Sequence, residues 1–271
     1  MYEAYWGLSE PPFALTPDPR FLYLSKEHED ALMMLHYTLT RNRGAGLLAG
    51  DIGLGKTTLS RKLLELLDPV AFKVALIVNP VLTPTQLMRE ILSQLGSPVN
   101  SRDRQELVQK LYAKLIEMYE HGQRAVLIID EAHLIRGSNT FEELRLLLNC
   151  QMNDQFLLSL LLLGQLELLK KVEKVPALHQ RMAVKHTIKP LDQNATTDLI
   201  EFRLRTAGYA GDRVPFTPDA LFEMHQFTGG YPRLVCQVAD NALMIGMSSG
   251  AKHIDGFTMH GVISDFQGKE W

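Results

Sequence analysis

The chain has 271 residues, 46% hydrophobic and 22% charged, and carries a formal net charge of −3 at pH 7. It is long enough to bury a sizeable core, as one large domain or two smaller ones, with the composition of an ordinary globular protein. A strongly basic overall footprint for nucleic acid is excluded, while a local basic patch stays open.

The opening MYEAYWGLSEPPF has neither a basic start nor an apolar core, so it does not read as a secretory signal. Ser25 can cap a helix running to about Arg41, with Leu32, Leu35 and Leu39 on one face. Leu47–Ala49 reads as a first strand, and GDIGLGKTT follows it at 50–58. The spacing G-x-x-x-x-G-K-T belongs to a loop whose backbone N–H groups point at phosphate oxygens. Gly50, Gly53 and Gly55 allow the close approaches that a Cβ would block, with Asp51, Ile52, Leu54 and Thr58 completing the cradle. A helix from Thr57 to Leu67 adds its N-terminal dipole. Lys56 is placed for the β- and γ-phosphates of ATP, and the Thr57 hydroxyl for Mg²⁺.

Lys73–Val78 reads as a second strand, apolar enough to be buried on both faces. Thr83-Pro84-Thr85-Gln86 combines a cap, a first-turn proline and a capping-box glutamine, predicting a helix to Leu95 that stops at Gly96. Arg104–Glu120 places Leu107, Leu111, Leu115 and Met118 at helical spacing. Ala125–Ile129 is a third strand that runs into Asp130 and Glu131. A helix near 141–148 precedes a fourth strand over 157–163, whose tip is Gly164-Gln165, and a fifth strand near 184–188 precedes Pro190. The apolar run 156–163 is far shorter than the roughly 20 residues of a membrane span. From Asn194 on the patterns are helical, with a capped first-turn proline at Thr217-Pro218 and a further helix after Pro232. Cys150 and Cys236 read as free buried thiols in a reducing compartment.

Alternating strands and helices give a parallel sheet whose carboxyl edge gathers residues 50–58, Asp130, Glu131 and Gln165, and ligands of open α/β sheets bind along that edge. Asp130 is placed to hold Mg²⁺ and Glu131 to activate the attacking water; standing alone, the pair would read as a solvated loop. Gln165 can sense the γ-phosphate or that water. Arg181 is either a finger for a neighbouring subunit's nucleotide or a surface ion pair, and Arg233, in GGYPRL, can reach back to the phosphates. Asp130-Glu131-Ala132-His133 also spells the box of one helicase class, but the second domain such a helicase needs does not fit in the chain, so His133 reads as structural. The expected organisation is an N-terminal segment and first helix packing on the core (1–45), an α/β ATPase core (46–190) and a helical lid (191–271).

The phosphate loop, the strand ending in Asp130-Glu131, the arginine before the fifth strand and the GGYPRL helix together resemble an AAA+ ATPase with its lid. The opening YWGLSEPPFALTPDPRFLYLSKEHEDAL is similar to that of the general secretion pathway protein A (ExeA) family. The resemblance implies the P-loop AAA+ fold: a five-stranded parallel sheet flanked by helices, then a small all-helical lid. It also implies Mg²⁺-dependent ATP hydrolysis in a homo-oligomer with shared active sites, coupled to assembly of an envelope secretion, pilus or exopolysaccharide system. The chain, ending at Trp271 without a membrane helix, is then expected in the cytoplasm, peripheral to the inner membrane through a partner. More distant relatives are transposition regulators of the TniB and TnsC type, which imply the alternative of an ATP-dependent oligomer on DNA. Basic candidates for that are Arg102, Arg104, Lys170, Lys171 and Lys174, each also readable as a solvated face. A non-hydrolysing relative is disfavoured by the intact Lys56, Thr57, Asp130 and Glu131. Phe13, Pro17, Phe21 and Tyr23 are expected either to pack the edge of the sheet or to border the adenine.

Overall fold

The structure, a computed structural model, describes residues 1–16, 18–153 and 155–268. In chain order the elements are α1 (Glu3–Trp6), α2 (Lys26–Thr40), β1 (Ala45–Ala49), α3 (Lys56–Leu66), β2 (Phe72–Ile77), α4 (Pro84–Gln94), α5 (Arg104–Glu120), β3 (Arg124–Ile129), α6 (Ser138–Leu147), β4 (Gln151–Met152), β5 (Gln155–Phe156), β6 (Leu158–Gly164), α7 (Glu167–Glu173), α8 (Pro176–His179), β7 (Met182–Thr187), α9 (Gln193–Thr206), α10 (Pro218–Thr228), α11 (Pro232–Ser248) and α12 (Gly256–Gly268). They fall into two compact units. One comprises residues 27–52 and 59–188; the other comprises residues 1–26, 53–58 and the chain from Lys189 on.

The first unit is built on a five-stranded sheet in the order β2-β3-β6-β1-β7, with every neighbouring pair parallel. β1 and β6 are buried along their whole length, as the runs AGLLA and LSLLLLG require, and β3 is buried after its first residue. Leu87, Met88, Ile91 and Leu92 of α4, the α5 stripe Leu107, Leu111, Leu115 and Met118, and Phe141, Leu144 and Leu147 of α6 join those strands in one core. The cap expected at Thr83 forms as a full capping box: the Thr83 side chain accepts from the Gln86 N–H and the Gln86 side chain accepts from the Thr83 N–H.

The expectation of a doubly buried second strand is corrected: β2 is an edge strand, with Lys73 exposed and Phe72, Val74 and Leu76 only half-buried. Its apolar side chains serve an edge, and the open backbone is covered locally. The Leu76 N–H donates to Gln94 Oε1 at 2.6 Å, and Gln94 Nε2 donates to the Leu76 carbonyl at 3.0 Å. A short antiparallel pair, β4 with β5, was not expected; it turns through Asn153 at a φ of 50°.

The second unit is helical. Its core joins α9, α10, α11 and α12 to Tyr2, Trp6, Leu8, Phe13 and Phe21. The expectation that the opening aromatics pack the edge of the sheet is therefore corrected for Phe13 and Phe21, and Tyr23 packs partly buried against the same helical cluster. Specific hydrogen bonds direct this placement. Trp6 Nε1 donates to the Leu243 carbonyl at 2.9 Å, the Ser9 N–H donates to the Ala207 carbonyl at 2.8 Å, and Arg203 donates to the carbonyls of Pro12 and Ala14 at 3.3 Å. Pro17 lies outside the described residues. The expected 1–45 segment thus divides, with residues 1–26 in the helical unit and the rest in the sheet unit. Helix α12 was also not expected; Asp255 caps it by accepting from the Thr258 N–H at 2.8 Å. Both cysteines are free thiols, as expected, and burial pushes each thiol above its ordinary value.

Gly46, in the middle of β1, is a close-packing position: a Cβ there would meet Leu161 Cδ2 at 2.9 Å and Leu35 Cδ2 at 3.4 Å. Gly46→Val should lower the unfolding free energy by about 1–3 kcal/mol, as overpacking does. Urea unfolding followed by circular dichroism checks this, and an unchanged midpoint would contradict the packing described.

Candidate nucleotide site

β1, β3 and β6 are adjacent and parallel, with Ala49 opposite Gly164 and Ile129 opposite Leu162. The residues that follow these strands, Gly50, Asp130 and Gln165, therefore emerge at one carboxyl edge. The Gly50 N–H donates to the Gly164 carbonyl at 3.2 Å, fixing the direction in which the loop leaves β1. Gly53 and Gly55 then take φ of 83° and 86°, which side-chain-bearing residues rarely adopt. Gly50 is not among the glycines of positive φ, so the left-handed freedom expected of all three glycines is used only at Gly53 and Gly55. Lys56 opens α3 and is 6% exposed, placing a buried ammonium with Thr57 and Thr58 in the first turn. Cation and helix N-terminus together favour an anion there.

Asp130, 3% exposed, is the first residue past β3, and its Oδ1 accepts from the Glu131 N–H at 2.8 Å. Glu131 is held at φ 50° and ψ 32° and starts the tight turn Ala132–Leu134. A left-handed glutamate is a strained conformation, and such strain collects at functional positions. Its side chain remains 40% exposed, with Oε2 at 3.4 Å from His133 Nδ1. His133 is buried and also meets Gln165 twice. The Gln165 N–H donates to Nδ1 at 3.3 Å, and the Gln165 side-chain amide lies 3.0 Å from Nε2. Lys171 pins the turn from below by donating to the carbonyls of His133 and of Ile135, the latter at 3.0 Å.

The structure thus brings Glu131 and Gln165 together around His133, the side chain that the sequence reading set aside as structural. The one available signal was its position three residues after Asp130, together with the glycine before Gln165. At Gly164 a Cβ would meet the His133 backbone nitrogen at 3.1 Å and Nδ1 at 3.3 Å, so a side chain there would require the turn and its ring to shift by a few tenths of an ångström.

Arg181 does not join this group. It precedes β7, at the amino end of the sheet, a strand's length from the carboxyl edge, and its guanidinium donates to Asn149 Oδ1 at 2.6 Å and to the Ala177 carbonyl at 3.1 Å. Arg233, exposed in the first turn of α11, sits beside the loop residue Gly53. Its backbone N–H donates to the Gly53 carbonyl at 3.2 Å, and a Cβ on Gly53 would lie 2.9 Å from Arg233 Cβ. Of the basic candidates, Arg104 is held by a two-pronged pair with buried Glu143, both contacts at 2.9 Å, and Lys171 is occupied as described. Arg102, Lys170 and Lys174 remain exposed.

The two oxygen donors expected for magnesium are the buried Asp130 carboxylate at the end of β3 and, in the first turn of α3, the Thr57 hydroxyl. Among the described residues no group of three or more His, Cys, Asp or Glu side chains could hold a metal by itself, and no helix is long and apolar enough to cross a membrane.

Residues 39–172 match the AAA domain family. The chain is 37% identical over 268 residues to general secretion pathway protein A of Aeromonas hydrophila, spanning 97% of this chain and 47% of that protein. Among solved structures, it is similar to the Aeropyrum pernix ORC2 protein in its ADPNP-ADP complexes, with TM-score 0.70 and 16% identity over 97% of this chain and 73% of that one. It is likewise similar to the Aeropyrum pernix ORC1 protein in complex with DNA, with TM-score 0.70 and 18% identity over 95% and 69%. The Thermotoga maritima RuvB Holliday junction branch migration motor gives TM-score 0.59 and 19% identity over 89% and 70%. These likenesses show the shared fold. The chain spans about half the length of the curated relative it matches; it is similar to general secretion pathway protein A, residues 39–172 match the AAA domain family, and it has the P-loop AAA+ fold.

Proposed function

We propose that this chain hydrolyses ATP and uses the cycle, in an assembly of identical copies, to energise or assemble an envelope secretion, pilus or exopolysaccharide system. The observation that carries the proposal is the sheet edge, where the glycine loop leaves β1 beside a buried Asp130 and the half-exposed Glu131 at the end of β3. Similarity to general secretion pathway protein A supports the envelope role. In this reading residues 46–190 are the ATPase core, 191–271 its lid and 1–45 a leading segment.

The residues divide the work by their chemistry. The backbone N–H groups of 50–58 bind the phosphates, and Lys56 neutralises charge on the β- and γ-phosphates. Thr57 and Asp130 would each offer an oxygen to Mg²⁺, which would supply charge neutralisation of the phosphates. Glu131 takes the proton of the attacking water, and Gln165 orients the γ-phosphate or that water. Arg233, anchored beside Gly53, supplies positive charge from the lid. Arg181 lies at the amino end of the sheet, held by Asn149 and the Ala177 carbonyl, and in this reading acts as a finger on a neighbouring copy's nucleotide.

Glu131→Gln removes only the proton acceptor, so turnover should fall about 10²-fold or more while binding of a fluorescent ATP analogue stays within threefold. Unchanged turnover would remove Glu131 from this role. Arg181→Ala and Lys56→Ala proteins, each inactive alone, should regain part of the activity when mixed, because a mixed interface has one intact site. No recovery at any ratio would place Arg181 outside a shared site. Turnover that rises with protein concentration and ignores double-stranded DNA supports the envelope reading, whereas stimulation by DNA that fades with salt would favour a DNA-borne assembly.

A further inference from the structure

We infer that Lys171 is a positioning residue for turnover: by donating to the carbonyls of His133 and Ile135 it holds the turn that follows β3, and through that turn keeps Glu131 in the left-handed conformation from which its carboxylate meets water. The inference rests on the ATPase reading above and deepens it for the same site.

A glutamate at φ 50° and ψ 32° occupies a region that costs free energy for a residue with a side chain, so it persists only where its surroundings over-determine it. The constraints come from both sides. Behind it, the Asp130 N–H donates to the Ile77 carbonyl at 2.8 Å, and Asp130 Oδ1 accepts from the Glu131 N–H. Ahead of it, the Leu134 N–H donates to the Glu131 carbonyl at 2.8 Å, and the Ile135 N–H donates to the Ala132 carbonyl at 3.2 Å. The turn Ala132–Leu134 is only three residues long, and such tight turns have poorer hydrogen-bond geometry than an α-helix. It keeps its shape with support from outside.

Lys171 is that support. His133 and Ile135 are buried, and a buried carbonyl is costly to leave without a donor. One ammonium carries three donors, enough for both carbonyls at once. Its other end is fixed as well, because Leu168 and Val172 on α7 are fully buried in the core of the sheet unit. The basic run that reads as a solvated face in the sequence is therefore divided: Lys170 and Lys174 are exposed, while Lys171 is half-buried and turned to the site. Without the ammonium both carbonyls have to find water, which opens the turn. The Glu131 backbone then relaxes out of the left-handed region and carries the carboxylate off its aim.

The test uses the full chain, at a temperature where circular dichroism shows each variant folded. Lys171→Met keeps the length and removes the donors, so kcat should fall at least tenfold with KM for ATP changed less than threefold. Lys171→Arg, which again offers donors to both carbonyls, should regain at least a third of the unmodified kcat. If Lys171→Met does not fold, the milder Lys171→Gln carries the same reading with at least a threefold loss. In a Glu131→Gln background, Lys171→Met should change the residual turnover less than twofold, since no carboxylate is left to aim. A merely structural lysine predicts as large a fall there as in the unmodified background, and that result would overturn the inference, as would an unchanged kcat in Lys171→Met. The second readout needs no turnover. Amide hydrogen exchange at Leu134 and Ile135, followed by NMR, should speed up at least tenfold in Lys171→Met while that at Asp130, bonded to β2, stays within threefold. Equal protection of the turn in both proteins overturns the inference. Normal turnover in Glu131→Gln alone overturns the role given to Glu131 and the inference with it, whereas an inactive Glu131→Gln beside a fully active Lys171→Met overturns the inference alone.

Discussion

The parallel run of β1, β3 and β6 is the constraint from which the site follows. Three strands buried on both faces cannot carry polar groups along their length, so the chemistry is displaced to the residues just beyond their last positions. Because the strands run the same way and in register, Gly50, Asp130 and Gln165 leave the core side by side. The hydrophobic strands therefore act as rulers. Their lengths, rather than any contact among the functional side chains, set which residues share the edge.

Around that edge the polar side chains are held in different ways. Asp130 is fixed by its neighbour's N–H, and the turn after it is clamped through Lys171. Glu131 is left with a half-exposed carboxylate on a strained backbone. The left-handed backbone and the neighbouring buried imidazole limit where that carboxylate can go while leaving it open to water. Arg181, by contrast, is bound at the far end of the sheet by Asn149 and the Ala177 carbonyl.

Much of this was legible in the residues. The glycine loop, the strand ending in Asp130-Glu131 and the Thr83 capping box are local patterns whose meaning does not depend on distant contacts, and α5 begins and ends where its leucine stripe does. What was not legible depends on tertiary neighbours. KVALIV is apolar whether it lies inside a sheet or at its edge, so the edge position of β2 could not be read from it. Phe13 and Phe21 are buried in either of two cores, and the choice is made by hydrogen bonds from Trp6, Ser9 and Arg203 to partners far along the chain. The contact of His133 with Gln165 could not be read because the two are distant in sequence and joined only by the adjacency of β3 and β6. Helix α12 opens on a glycine and holds another at Gly261, which hides its start from propensity.

The amide of Gln94 on the edge of β2 has a consequence for how copies of such a chain can meet. An open strand edge is a template on which another strand can add, and proteins that must assemble reversibly cannot leave one free. By presenting an N–H and a carbonyl to Leu76 as a neighbouring strand would, Gln94 stands in for that strand over one residue and caps the ladder at its carboxyl half. Growth of the sheet across this border would first have to displace the amide, so association of copies is steered toward side-chain surfaces. Side-chain contacts of that kind part readily, whereas a backbone ladder, once extended, is slow to let go.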